Sequence, residues 1–177
     1  MISRIAITGP ESTGKSWLTE HLALHFNTKF VPEYAREYID HLNRPYTFDD
    51  IEIIAKRQLL MEECALTEAN GLLFIDTDFF VTKIWSDFVY HKCCPWITDQ
   101  LQHHHYDLHL LCDIDLPWEY DPQREHPNQR KELFNIYKRE IEISHRPFEI
   151  ISGTGNARLE SAINAISKHI YTPSISE

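Results

Sequence analysis

The feature that most constrains this chain is a glycine-bounded loop set between a short apolar run and a helical pattern. Residues 9–16 read GPESTGKS and fit the spacing GxxxxGK[ST], with an apolar run before them and apolar residues at every fourth position after them. Glycines let the backbone wrap closely around a triphosphate, and the following helix directs its N–H groups at the phosphate oxygens. The pattern predicts a phosphate-binding loop made of Gly9, Pro10, Glu11, Ser12, Thr13, Gly14, Lys15 and Ser16.

Two side chains of this loop and an acid further along the chain predict a site for Mg²⁺ and a nucleoside triphosphate. Lys15 is expected to bridge the terminal phosphates, and the Ser16 hydroxyl is expected to bind Mg²⁺. The apolar run 72–75 leads directly into Asp76, which is placed to supply the metal carboxylate. Asp78 follows two residues later, and either helix capping or a direct chemical role remains open for it. The expected cofactors are therefore Mg²⁺ and a nucleoside triphosphate. We predict ATP, and GTP remains an open alternative.

The order of apolar runs predicts an α/β fold with a five-stranded parallel sheet. The candidate strands are residues 4–8, 28–31, 72–75, 107–112 and 148–151. Helical patterns separate them, among them Leu18, Leu22 and Phe26 at four-residue intervals. Because strands and helices alternate, helices are expected on both faces of the sheet. We predict one domain over residues 1–171 and a frayed tail at 172–177.

Length, charge and cysteine content narrow the functional class. A chain of 177 residues can enclose one core, and 17 basic against 27 acidic residues give a net charge of -10. This charge would repel a phosphate backbone and disfavours general nucleic-acid binding. No apolar stretch approaches the ~18 residues of a membrane span, and the four cysteines contain no CxxC pair. We expect a cytoplasmic protein with a small-molecule partner and neither nucleic acid nor membrane.

Histidines and cysteines suggest a rival site that the spacing does not support. His91, Cys93, Cys94 and the run 103–105 match no closed zinc-ligand pattern, and consecutive histidines on a helix point in different directions. We expect a solvated polar helix there and no bound metal.

A cluster of charged and aromatic residues follows the second predicted strand. Glu33, Tyr34 and Arg36 stand there, and ligands of open parallel sheets bind at the carboxyl ends of the strands. With Asp78 and Trp85, which follow the third strand, they are candidates for binding an acceptor. Either Glu33 or Asp78 is expected to orient the acceptor hydroxyl or take its proton. The alternative is a surface helix whose Glu and Arg pair at helical spacing.

A proline-rich stretch at residues 115–130 is predicted to be a lid and is called the lid segment below. It contains Trp118, a candidate for substrate contact, and the arginines Arg124 and Arg130. A lid that closes over phosphate excludes water, and arginines on it would stabilise charge on a transferred phosphoryl group. The alternative is a solvated arginine pair.

Taken in order, these motifs resemble the ribosylnicotinamide kinase domain of the bifunctional bacterial NAD-biosynthesis regulators. The matching segments are GPESTGKS, VPEYAREY, LLFIDTD, YDLHLL, DLPWEYDPQR and ISGTGNAR, which together span most of the chain. The resemblance implies a P-loop NTPase fold of the nucleotide- and nucleoside-kinase type. It also implies phosphorylation of the 5′-hydroxyl of a nucleoside by ATP, with nicotinamide riboside as the acceptor, and adenine near Gly153, Asn156 and Arg158.

The chain also departs from that family. Its members carry an adenylyltransferase domain with an HxGH motif, and often a DNA-binding helix-turn-helix. No HxGH occurs here, and only a few residues precede the phosphate loop. We therefore expect neither adenylyl transfer nor operator binding from this chain. The rival functional class is a non-catalytic ATP or GTP switch, or a partner-binding ATPase module, in which the nucleotide only orders the lid segment. Paired arginines and a candidate acceptor site favour the kinase.

Overall fold

A parallel sheet in the order β2-β3-β1-β4-β5 forms the centre of the computed structural model, which describes residues 2–171. The strands are β1 (Ser3–Thr8), β2 (Lys29–Val31), β3 (Leu72–Asp76), β4 (Leu108–Cys112) and β5 (Phe148–Ile151). The helices are α1 (Lys15–His25), α2 (Tyr34–Asp40), α3 (Phe48–Leu66), α4 (Phe79–Tyr90), α5 (Pro95–His103), α6 (Arg130–Ile143) and α7 (Gly155–Ile166), before a π-helical turn at Ser167–Tyr171. The predicted five parallel strands are confirmed, and the predicted tail at 172–177 lies outside the described residues.

Alternate residues of the central strand β1 pack on opposite faces of the sheet. Ile5 and Ile7 belong to a core cluster with residues of α1 and α7, whereas Ala6 belongs to a second cluster with residues of α3 and α5. All three side chains are fully buried, as expected for a parallel sheet covered on both faces. The expectation of helices on both faces is thereby confirmed.

The strand order places a crevice at the carboxyl end of β1. Strand β1 pairs with β3 on one side and with β4 on the other. The chain forms β2 and β3 on the first side of β1 and then crosses to form β4 and β5 on the second side. Open α/β sheets bind ligands at such a change of direction, outside the carboxyl ends of the strands. The phosphate loop, residues 9–16, begins there directly after β1.

Of the histidine run 103–105, only His103 is exposed on a helix as predicted. His103 and His105 are exposed, but α5 ends at His103 and the half-buried His104 turns inward. The Nε2 atom of His104 lies 3.0 Å from the Glu62 carboxylate, whose other oxygen accepts the Tyr106 hydroxyl. The expectation of a fully solvated helix is therefore wrong at His104. Within residues 2–171 no group of three or more His, Cys, Asp or Glu side chains is arranged to hold a metal ion.

No helix in the described part of the chain combines the length and hydropathy needed to cross a bilayer.

Candidate active site

A cavity of about 480 Å³ joins the phosphate loop to α2, α4, α6 and the lid segment. Twelve of the residues predicted for the site line it: Gly9, Pro10, Glu11, Ser12, Thr13, Gly14, Lys15, Ser16, Glu33, Arg36, Trp85 and Arg124. Eight others do not: Tyr34, Asp76, Asp78, Trp118, Arg130, Gly153, Asn156 and Arg158. The structure thus brings twelve of the predicted residues together around one cavity and places the other eight outside its lining.

The phosphate loop depends on backbone shapes that glycine permits. Gly9 has a φ of 131°, and a Cβ there would lie 3.0 Å from the carbonyl oxygen of Cys112 on β4. Gly14 has a φ of 75° at the start of α1, in the left-handed region that glycine adopts without steric cost. Within the loop, the Lys15 Nζ donates a hydrogen bond to the Pro10 carbonyl at 3.0 Å. The ammonium group is therefore held at the cavity wall.

Ser16 and Asp76 form the pair that the sequence assigned to Mg²⁺. The Ser16 hydroxyl donates to one carboxylate oxygen of Asp76 at 2.5 Å, and the other oxygen is buried without a partner among the described residues. Burial, together with the nearby Glu33 carboxylate, raises the pKa of Asp76 to about 7. A buried carboxylate with an unpaired oxygen beside a hydroxyl supplies the hard oxygen ligands that Mg²⁺ prefers. These two residues therefore fit the expected ion.

Asp78 caps a helix and does not face the cavity, which corrects the expectation that it contacts the acceptor. Its carboxylate accepts the Val81 N–H at the start of α4 and the Thr8 hydroxyl, each at 3.1 Å. Burial raises the pKa of Asp78 to about 6, and burial lowers the pKa of the neighbouring His109 to about 3. These pKa shifts favour the neutral forms of Asp78 and His109. Of the two predicted bases, Glu33 is the one that lines the cavity.

The charged and aromatic residues that follow β2 lie on different sides of the short helix α2. Glu33 and Arg36 line the cavity, whereas Tyr34 lines a smaller cavity with Tyr38 on another side of the helix. Successive helical residues are rotated by about 100°, which turns Tyr34 away from the side of the helix that carries Arg36. Arg36 forms an ion pair at 2.6 Å with Asp121 of the lid segment. The expectation is corrected for Tyr34, and Arg36 pairs across to the lid segment instead of along its own helix.

The two arginines of the lid segment have different positions. Arg130 donates to the carbonyl oxygens of Ser12 and Leu116 at 2.8 and 2.9 Å, and its guanidinium lies 6.0 Å from the centre of the Trp118 ring. Arg124 lines the cavity and donates to the Ser12 hydroxyl at 3.3 Å. Arg130 therefore ties the lid segment to the phosphate loop, with Trp118 beside it, and Arg124 is the arginine that faces the cavity.

A carboxylate of the phosphate loop also binds the lid segment. Glu11 accepts the backbone N–H groups of Glu125 and His126 at 3.1 and 2.5 Å. On the α2 side, the Gln123 amide donates to Asp40 at 2.5 Å. The lid segment is thus held over the cavity from two directions.

Arg158, expected near adenine, is enclosed in the protein. The buried side chain donates to the carbonyl oxygens of Thr13, Asp113 and Gly153 and forms an ion pair with Asp115 at 2.7 Å. Burial alone would raise the pKa of Asp115, but the Arg158 guanidinium and the Gly153 N–H hold it below its ordinary value. Arg158 therefore clamps the phosphate loop to the ends of β4 and β5, which corrects its assignment to the nucleotide.

Sequence reasoning missed an aromatic residue on the loop before α3. The Tyr46 hydroxyl donates to Glu125 of the lid segment at 2.6 Å and accepts the Trp85 indole N–H at 3.2 Å, with the two rings 5.0 Å apart edge to face. Arg44 and Asp50 pair beside it and hold the loop. No local motif marks Tyr46, because its role depends on α4 and the lid segment packing against that loop. Trp17 and His126 also line the cavity and also carry no motif.

Comparison with known proteins gives a family match and a group of relatives. Residues 4–158 match the AAA domain family. The chain is 31% identical over 153 residues to the trifunctional NAD biosynthesis/regulator protein NadR of Escherichia coli (strain K12). That alignment covers 83% of this chain and 37% of the NadR protein. The chain thus spans little more than a third of the length of this relative.

Solved structures show the same fold. A crystal structure of a NadR protein in complex with NR superimposes with a TM-score of 0.83 at 22% identity, over 99% of this chain and 52% of that chain. The deoxyadenosine kinase of M. mycoides superimposes with a TM-score of 0.66 at 12% identity, over 93% of this chain and 99% of that chain. The architecture is therefore that of P-loop NTPases of the nucleoside-kinase type.

Proposed function

The chain belongs to the AAA domain family, and we propose that it is an ATP-dependent nucleoside kinase. It transfers the γ-phosphoryl group of ATP to the 5′-hydroxyl of nicotinamide riboside and forms nicotinamide mononucleotide. The observation that carries the proposal is the cavity that joins the phosphate loop to an acidic and aromatic pocket beneath the lid segment. The similarity to NadR, including a structure that holds NR, supports the acceptor.

The donor side of the reaction rests on positioning and charge. Lys15 and the backbone N–H groups of the phosphate loop hold the triphosphate, as the glycine-dependent shape of the loop permits. Ser16 and Asp76 would hold Mg²⁺, which neutralises charge on the β- and γ-phosphates when it is bound. Arg124 faces the same cavity and stabilises charge on the transferred group.

On the acceptor side, we assign the contact with the hydroxyl to the Glu33 carboxylate. Glu33 lines the cavity at the start of α2, where it orients the 5′-hydroxyl and accepts its proton as the oxygen attacks phosphorus. The contacts of Glu11 and Arg36 hold the lid segment over the cavity, and a lid that excludes water during the reaction favours transfer to the acceptor over hydrolysis.

The pocket chemistry suits a cationic ring. Nicotinamide riboside carries a fixed positive charge on its pyridinium ring. Trp85 and Tyr46 present aromatic rings, and Glu33 and Glu125 present carboxylates, to the same cavity. Aromatic faces and carboxylates both attract a cation. Neutral nucleosides lack this attraction and are expected to bind less tightly.

A cytoplasmic location belongs to the same proposal. All four cysteines, Cys64, Cys93, Cys94 and Cys112, carry free thiols, and free thiols fit a reducing compartment.

Two carboxylate variants are expected to fail in different ways. Asp76→Asn should weaken the dependence on Mg²⁺ and lower both acceptor phosphorylation and basal ATP hydrolysis, because both reactions use the metal. Glu33→Gln should lower acceptor phosphorylation by roughly 10²- to 10⁴-fold and spare basal hydrolysis, because the base acts on the acceptor hydroxyl. Mg²⁺ titrations of product formation and of ADP release measure the two effects.

Asp78→Asn is the matched control for these variants. Because Asp78 caps α4 outside the cavity, its replacement should lower stability and leave the ratio of acceptor phosphorylation to hydrolysis unchanged. Equal loss of both reactions in Asp76→Asn and Glu33→Gln would contradict the division of roles, and a loss of acceptor phosphorylation confined to Asp78→Asn would move the base there.

Nicotinamide riboside is expected to stabilise the protein more than neutral nucleosides do. A ligand at a hundredfold excess over its Kd adds ~2.7 kcal/mol of stability, and each kcal/mol moves the midpoint of a domain this size by roughly 2 to 4 °C. In thermal unfolding with a non-hydrolysable ATP analogue, nicotinamide riboside should add roughly 5 to 10 °C beyond the analogue alone. Adenosine, uridine and thymidine should add less. If one of these neutral nucleosides gives the larger shift and is phosphorylated, the protein is still a nucleoside kinase, but nicotinamide riboside is not its acceptor.

A further inference from the structure

Trp17 places an indole beside the phosphate loop. It directly follows Ser16 in the first turn of α1 and lines the same cavity, with 36% of its surface exposed. The His21 ring, one turn further along α1, stacks on the indole with centroids 3.9 Å apart and 26° between the planes. The His21 Nδ1 also lies 2.8 Å from the Trp17 carbonyl oxygen. The indole is therefore held in place with one face covered by His21.

The residues first expected to bind the donor base do not reach the cavity. Both terminal nitrogens of Arg158 already donate to carbonyl oxygens or to Asp115. The Gly153 N–H donates to Asp115 as well, and Asn156 lies outside the cavity lining. A base attached to phosphates in the loop therefore needs another surface.

We propose that Trp17, backed by His21, is the surface on which the purine base of the donor nucleotide stacks. The first N–H groups of a helix lack helical partners and bind phosphate. Trp17 belongs to that turn, so its indole lies close to the bound phosphate chain. The ribose and base of the nucleotide are attached to the same phosphate chain and therefore come near the indole. Stacking on an aromatic ring contributes to the binding of any base and favours the larger purine ring. The inference rests on the proposed function, because it takes the loop to bind a nucleotide.

Calorimetric titration of the full chain with ADP and with inorganic tripolyphosphate, both with Mg²⁺, separates base binding from phosphate binding. Trp17→Ala should raise the Kd for ADP by about tenfold or more and leave the Kd for tripolyphosphate unchanged, because tripolyphosphate has no base. Trp17→Phe keeps an aromatic face and should recover most of the ADP affinity. The matched control is Leu24→Ala, which changes a residue on the same helix that is 78% exposed and outside the cavity lining. It should alter neither constant.

Fluorescence gives a second measurement. ADP should quench tryptophan emission in the wild-type protein, and this quench should be much smaller in Trp17→Phe, whereas tripolyphosphate should produce little quench in either protein.

Three results would overturn the proposal. Unchanged ADP affinity in Trp17→Ala would exclude stacking, and an equal loss of ADP and tripolyphosphate affinity would mean that Trp17 acts through the shape of the loop. A wild-type protein that binds neither compound would remove the nucleotide site and this inference together. A protein that binds ADP through Trp17 but does not phosphorylate nicotinamide riboside would support the inference and refute the acceptor, so the two failures are distinguishable.

Discussion

Lys15→Ala is expected to lower phosphoryl transfer by about a thousandfold while the protein stays folded. Lys15 lines the cavity, and its ammonium group donates a hydrogen bond to the Pro10 carbonyl of its own loop. Its removal takes a positive charge away from the position at which charge develops on the phosphates during transfer. Formation of nicotinamide mononucleotide measures the loss, and thermal unfolding checks that the midpoint is nearly unchanged.

A lysine outside the site provides the comparison. Lys29 lies on the edge strand β2 and pairs with Glu68 at the surface, so Lys29→Ala removes the same charge without touching the cavity. That variant should retain wild-type turnover. Near-normal turnover in a folded Lys15→Ala protein would remove the kinase proposal altogether.

Arg158→Ala is expected to have the largest effect on stability. The side chain is 1% exposed and binds three backbone carbonyls as well as Asp115. Breaking a buried pair costs about 3 to 5 kcal/mol, because the partner groups are left without donors. Since the Asp115 side chain is 31% exposed and water can reach it, we expect the lower end, ~3 kcal/mol. This corresponds to a fall of roughly 6 to 12 °C in the unfolding midpoint.

Arg158→Lys separates charge from geometry. Lysine keeps the positive charge but lacks the planar fork that reaches several oxygens at once, so this variant should lie between the wild type and Arg158→Ala in denaturant and thermal unfolding. An Arg158→Ala protein of wild-type stability that loses only ADP affinity would return Arg158 to the adenine site that the family resemblance implied.

The phosphate loop could be predicted from the sequence because its function is carried by its own backbone. Positive φ angles at Gly9 and Gly14 and the following helix are local properties, and glycine spacing reports them directly. The central strands β1, β3 and β4 were predictable for a similar reason, since a strand buried on both faces appears as a continuous apolar run. The edge strands β2 and β5 are partly exposed and give shorter apolar runs. Trp85 and Arg124 reached the cavity as expected because they stand on the helix and the loop that follow β3 and β4.

The orientation of individual side chains near strand ends depended on local backbone geometry that residue type does not reveal. Asp76 and Asp78 flank Thr77, whose φ of 75° interrupts the alternation of the strand, so the second acid caps α4 while the first meets Ser16. A β-strand period would have placed both carboxylates on one face.

Local sequence pattern therefore determined the phosphate loop, the strands and the fold class, whereas tertiary packing decided which side chains share the cavity. Arg158 meets Thr13 across 145 positions of sequence, and Tyr46 meets Glu125 across 79. Neither contact leaves a local signal, because each exists only after separate elements have packed around β1. Hydrogen bonds within one turn are encoded by neighbouring residues, but contacts between distant segments are set by the packing of the whole sheet and its helices.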